Sequence, residues 1–126
     1  MTHTSIYDRQ AVNQVLTTYK NSAKLRKLEF NLSYERFRSL ISGSCKYCGT
    51  SNSNERKINR IVPQILRYNG IDRVNNQVGY IEGNVVSCCK TCNFMKRTLG
   101  VTDFISHITL IHLNSTKQSN ELTTNC

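Results

Sequence analysis

The chain has no tryptophan, a single proline and only eight acidic residues, and each shortage narrows what it can be. Aromatic residues are 8% and hydrophobic residues 38% of 126, so the apolar core is modest for one domain's worth of chain. A structural metal would help such a core. The eight Asp and Glu face seventeen Lys and Arg, a formal charge of +9. A short chain this basic favours a polyanionic partner, with nucleic acid first and an anionic membrane surface second. No apolar run approaches the ~20 residues that cross a bilayer, and the start Met1-Thr2-His3-Thr4-Ser5-Ile6 has neither the basic nor the apolar region of a signal peptide. A cytoplasmic location is expected, where thiols stay reduced. No long basic amphipathic helix with a clean apolar face stands out, which weakens the membrane reading. The scarcity of aromatics likewise leaves no stacking platform of the kind found on RNA-binding sheets.

Against these shortages, six cysteines are many. Four form two Cys-x-x-Cys pairs, Cys45/Cys48 and Cys89/Cys92, which in a reducing compartment read as metal ligands rather than disulfides. Thiolates two residues apart reach one ion from a single turn. Four of them complete the tetrahedron zinc prefers and leave no open position, so the ion is expected to be structural. The competing reading is four buried or reactive thiols that share this spacing by chance. Cys88 and Cys89 are both possible ligands, but only Cys89 keeps the two-residue spacing to Cys92. Cys88 is therefore read as a small buried apolar residue, and Cys126 has no evident partner. No internal repeat accompanies the two pairs.

Hydrophobic periodicity places a helix over residues 7 to 27, with Val12, Val15, Leu16, Tyr19 and Ala23 on one face. Lys20, Lys24, Arg26 and Lys27 gather near its C-terminal end, either as a solvated helix end or as a phosphate-contacting face. Leu28, Phe30 and Leu32 alternate with polar residues as in a short strand. Ser33 then caps a second helix whose stripe is Tyr34, Phe37, Leu40 and Ile41, ending at Gly43. Residues 50 to 57 read as a polar loop, and Pro63 makes residues 58 to 68 illegible. Residues 71 to 74 read as a strand, 75 to 77 as a turn and 78 to 80 as the start of a return arm. Residues 89 to 99 read as a helix stopped by Gly100. Thr102 is expected to cap a last helix with Phe104, Ile105, Ile108 and Ile111 inward and His107 and His112 on its surface. From residue 113 the polar composition predicts a disordered tail.

The order Cys45-x-x-Cys48, Gly70-Ile71-Asp72-Arg73, Gly79-Tyr80, Asn84-Val85-Val86 and Cys89-x-x-Cys92-Asn93-x-x-Lys96 resembles the zinc-containing branch of the HNH endonucleases, small phage-type or homing-type nucleases with a ββα-metal finger. The resemblance covers about residues 45 to 97. It implies an α+β fold, a ββα-metal finger with a structural four-cysteine zinc site, preceded by two helices and followed by a C-terminal helix. The domain organisation expected is an N-terminal helical leader over 1–44, the nuclease domain over 45–112 and the tail over 113–126.

The resemblance further implies a hairpin and a helix that hold one divalent ion, Mg²⁺ or Mn²⁺, against a scissile phosphate of duplex DNA. On this chain the ion's ligands would be Asp72 and Asn93, and Asn84 would brace the hairpin. Lys96 and Arg97, with Lys20, Lys24 and Lys27, would hold the DNA backbone. The chain departs from the family at Arg73, which stands where a water-activating His is usual. Arg stays protonated and cannot act as that base, though its planar fork suits a phosphate. Water activation then falls to the ion, to Glu82 or to the substrate phosphate, with His107 a remote further choice. Two functions are expected to compete: a metal-dependent endonuclease, with Asp72, Arg73, Asn84 and Asn93 as its catalytic set, and a zinc-stabilised DNA-binding module that has lost catalysis.

Overall fold

The computed structural model describes residues 6–58 and 64–124. Helix α1 (Ile6–Leu25) presents Val12, Val15, Leu16 and Ala23 to the core, as its 3.6-residue pattern requires. A short strand β1 (Phe30–Asn31) leads to α2 (Tyr34–Ile41). Ser33 caps α2, its side chain accepting from Arg36 N at 3.0 Å, and Phe37, Leu40 and Ile41 are buried on the inner face.

Residues 54–57, expected within a loop, form β2 (Asn54–Lys57), which pairs antiparallel with β3 (Ile65–Tyr68). Both strands alternate between exposed and half-buried positions. The polar sequence hid β2, because a two-stranded ribbon at the surface needs little apolar content. The stretch around Pro63 lies outside the described residues. Asn69, fully buried, donates to the Gly43 and Thr50 carbonyls at 2.9 Å each and accepts from Ser53 N, fastening the segment before β2 to the end of α2.

The hairpin differs from expectation in its second arm. Strand β4 (Gly70–Arg73) pairs antiparallel with β6 (Val85–Cys88), placing Ile71 opposite Ser87 and Asp72 opposite Val86. Residues 78 to 80 are not its return arm. Instead β5 (Tyr80–Ile81) pairs parallel with β1, with Tyr80 N donating to Glu29 O at 2.8 Å. A side chain at Gly79 would collide with the Glu29 backbone, so this glycine permits the approach.

Helix α3 (Lys90–Lys96) is capped by Cys89 and ends earlier than expected, at Arg97 with φ 49°. Helix α4 (Val101–Thr124) begins one residue before the expected Thr102 cap, with Phe104 N bonding Gly100 O at 2.9 Å. It also runs through the segment expected as a tail, since no glycine or proline interrupts it. Along α4, Phe104 is buried and Ile108 half-buried, but Ile105 and Ile111 are exposed. Among the described side chains of α4, those of its first turns meet the body.

Two apolar clusters result. The larger joins α1 and α2 to β4 through Val15, Phe37, Ile41 and Ile71, with Tyr19 edge-on to Phe37 and Tyr80. The smaller collects Cys45, Cys88, Cys89 and Cys92 with Phe104. No helix among the described residues is long and apolar enough to cross a membrane.

Candidate active site

The two cysteine pairs meet. The sulfurs of Cys45, Cys48, Cys89 and Cys92 all lie within 4.8 Å of one another, and those of Cys48 and Cys89 are 3.6 Å apart. A tetrahedron with zinc–sulfur bonds of about 2.3 Å has edges of roughly 3.8 Å, so the cluster has the size for a metal such as zinc. Its first half is a knuckle that turns at Gly49 (φ 82°), with Gly49 N on Cys45 O and Tyr47 N directed at Cys45 Sγ. Lys46 N bonds Ser87 O at 2.8 Å and fixes the knuckle to β6. The second half is the α3 cap, where Cys92 N points at Cys89 Sγ at 3.3 Å.

Burial and hydrogen bonding pull the four thiols in opposite directions. Burial pushes the Cys92 thiol up. At Cys45, burial is outweighed by hydrogen bonds from Cys89, Cys48 and Tyr47, which bring it down to about 6. A metal ion bound here would take all four as thiolates, since a coordinating thiol gives up its proton. Cys88 is completely buried, stands outside the group and donates instead to the Cys89 carbonyl.

Beside the cluster lies Asp72, on β4 and 4% exposed. Its Oδ2 accepts from Tyr47 Oη at 2.7 Å and is 3.1 Å from Lys96 Nζ. Lys96 is fully buried and is also 3.4 Å from the Arg73 carbonyl. This corrects the expectation that Lys96 contacts the DNA backbone: its ammonium serves the carboxylate, because a buried charge needs a partner. Nor do Asp72 and Arg73 pair with each other. Burial, then the bond to Asp72, holds the Tyr47 phenol well above its ordinary range.

Asp72, Arg73 and Asn93 line one cleft of about 300 Å³, together with Arg26, Arg97, Asn76 and Tyr80. Arg73 Nη1 donates to the carbonyls of Asn76 at 2.6 Å and Val78 at 3.0 Å, and its guanidinium stands 5.5 Å from the Tyr80 ring centre. Arg26 Nη2 donates to Tyr80 Oη at 2.7 Å. Three guanidiniums thus surround an opening beside one carboxylate.

Asn84 is not in this cleft. Its amide donates to the carbonyls of Asn75, Val78 and Gly79 and accepts from Asn75 N, holding the loop that closes the hairpin. Lys20, Lys24 and Lys27 are exposed on or just after α1 and do not line the cleft. Glu82, considered as a base, is paired with Arg36 at 2.9 Å and does not line it either. His107 is exposed on α4. Sequence reasoning missed Tyr47 and undervalued Arg26. Tyr47 sits inside the first Cys-x-x-Cys, a place that gave notice only of the metal, while Arg26 was one cation among four.

Asp72 and Asn93 carry hard oxygen donors of the kind Mg²⁺ and Mn²⁺ accept, and they share a cleft. Their chemistry fits a divalent ion on condition that the ion exchanges with the Lys96 ammonium on Asp72.

No family model matches the chain. Uncharacterized protein R423 of Acanthamoeba polyphaga mimivirus is 41% identical over 87 residues, which are 69% of this chain but 14% of that protein. The chain therefore spans a small part of that relative's length. Among solved structures, the rare-cutting HNH restriction endonuclease PacI superposes with a TM-score of 0.56 at 20% identity, covering 74% of this chain and 70% of that one. At that identity the likeness shows the fold: α+β, with β4, β6 and α3 as the ββα unit beside a four-cysteine metal-binding cluster.

Proposed function

We propose that the protein is a metal-dependent endonuclease that hydrolyses phosphodiester bonds in duplex DNA. The observation that carries this reading is the convergence of Asp72, Asn93 and three arginines on one cleft of a ββα unit fastened by four cysteines. In this reading zinc occupies the cysteine cluster as a structural ion, and Asp72 and Asn93 hold Mg²⁺ or Mn²⁺. When bound, such an ion supplies Lewis acidity toward water and the scissile phosphate. Arg73, Arg26 and Arg97 neutralise the phosphate and the charge that builds on it. Arg73 takes no proton, so the chain's own groups orient and neutralise rather than act as a base. Asn84 keeps the hairpin in register beneath them. The exposed Lys20, Lys24 and Lys27 add a non-specific hold on the backbone. A viral role, such as that of a homing-type nuclease, agrees with the viral relative.

A second reading is favoured by the Lys96–Asp72 contact, which already gives the carboxylate a cation: a DNA-binding module without cleavage. Incubating supercoiled plasmid with the purified, zinc-loaded protein and Mg²⁺ or Mn²⁺ separates the two. Nicking that disappears in Asp72→Ala and persists in Lys20→Ala supports the enzyme. Binding with steep salt dependence and no nicking across pH leaves the binder.

A further inference from the structure

Phe94 is 70% exposed, although its helix offers an apolar cluster to pack against. Two cations share its helical face. Lys90, Asn93, Phe94 and Arg97 recur at the spacing of one helical face, and the Arg97 guanidinium lies 4.9 Å from the Phe94 ring centre. A second cleft of about 400 Å³ is lined by Arg56, Lys90, Asn93 and Phe94 among others. There the buried Arg56 Nε has no hydrogen-bond partner among the described residues. Tyr19 and Asn93 line both clefts, so the two are adjacent and together form a groove. Among the described residues Asp72 is the single carboxylate lining either cleft.

We propose that this groove seats duplex DNA and that Phe94 stacks on a base at a step it partly opens, close to the bond placed at Asp72. The inference rests on the nucleic-acid reading above and adds where, and with what side chain, the protein deforms its substrate. An exposed apolar ring among cations fits a ligand that is anionic at its edge and aromatic within. Phosphates meet Lys90, Arg97 and the Arg56 side chain that lines the second cleft, while a base meets the ring. Apolar side chains inserted between base steps unstack them at a cost that the added contacts offset. Base–aromatic stacking is indifferent to sequence. A protein partner with an apolar face would leave these cations without counter-charges.

The test uses the zinc-loaded full chain, without added divalent metal, and short duplexes carrying 2-aminopurine at successive positions. The wild type should raise 2-aminopurine emission on binding. Phe94→Ala should abolish that rise and weaken binding by roughly 5- to 100-fold, with the dependence of binding on salt unchanged. Lys90→Ala should instead lower the salt slope by about one. Because the chain has no tryptophan, Phe94→Trp supplies a single indole, excited apart from the tyrosines, whose emission should be quenched by duplex. Zinc content equal to wild type checks that each variant is folded. Phe94→Ala that binds duplex and perturbs 2-aminopurine as the wild type does overturns the proposal. So does a variant whose only change is in sedimentation, since the ring would then belong to a contact between copies. Wild-type protein that binds no duplex at low salt overturns the nucleic-acid reading itself.

Discussion

Lys96 Nζ and Asp72 Oδ2 are 3.1 Å apart, and the two side chains are 0% and 4% exposed. The pair ties α3 to β4, and Tyr47 extends the tie to the cysteine knuckle. Lys96→Met would leave a buried carboxylate with one neutral partner, a loss of about 3–5 kcal/mol for a broken buried pair. Adding Asp72→Asn should recover part of that, because no charge then remains unpaired. Urea unfolding of both single variants and the double variant measures the coupling. Additive losses would mean that the contact contributes nothing of its own.

The same contact sets the strength of the proposed catalytic site. A divalent ion on Asp72 competes with the Lys96 ammonium, so Lys96→Met should bind Mn²⁺ at least about tenfold more tightly than the wild type, a difference of ~1.4 kcal/mol. Titration followed by the paramagnetic signal of free Mn²⁺ reads this without any cleavage assay. Equal affinities would show that the ion does not sit where Lys96 now is.

Metal content distinguishes the cysteines. Purified protein should carry one zinc per chain. A strong chelator should unfold the region between the knuckles, because the ion's binding energy is part of the folding energy. Cys89→Ser and Cys92→Ser should lose the ion, whereas Cys88→Ala should keep it, since Cys88 lies outside the four-sulfur group. Cys126→Ser should also be without effect on zinc. Elemental analysis of the four variants decides it, and an ion retained in Cys89→Ser but lost in Cys88→Ala would reassign the ligand.

What was legible beforehand is explained by how local each signal is. Ser33 and the stripe through Phe37, Leu40 and Ile41 announce α2 because cap and periodicity are written within one helix. The cysteine pairs are equally local, and only one ion geometry brings them together. Strand partners are not local. Tyr80 could have continued a hairpin with β4, and only the close passage of Gly79 over Glu29 assigns it to β1. Burial was invisible in the same way: Lys96 looks like a solvated cation until α3 is laid on β4 and turns it toward Asp72. Asn93, one turn earlier, opens to the cleft instead.

Gly79 gives a direct measure of that β1–β5 contact. Its φ lies outside the left-handed region, so Gly79→Ala probes space alone, and the space is filled by Glu29 main chain rather than by a movable side chain. A loss of about 2–3 kcal/mol is expected, typical of overpacking. Gly83→Ala, at φ 87° in open space, should cost about 1 kcal/mol from backbone strain only. Equal losses in thermal unfolding would mean that β1 can move away at no cost.

Tyr19 predicts an alkaline limb. Burial, the dominant cause, raises its phenol to about 12 from an ordinary 10.0, against the backbone N–H of Ile71 that donates to it at 3.0 Å. The folded state therefore holds this proton more tightly than the unfolded chain. The corresponding stability is complete below pH 10, falls as the unfolded phenol ionises, and is gone above pH 12. A rise of that size corresponds to about 2–3 kcal/mol. Tyr19→Phe should cost about 1 kcal/mol at neutral pH, for the lost partner of Ile71 N–H. It should also show a shallower decline in stability from pH 10 to 12 than the wild type. Denaturant melts of the two proteins across that range make the comparison, and parallel curves would show that the phenol is not held from ionising by the fold.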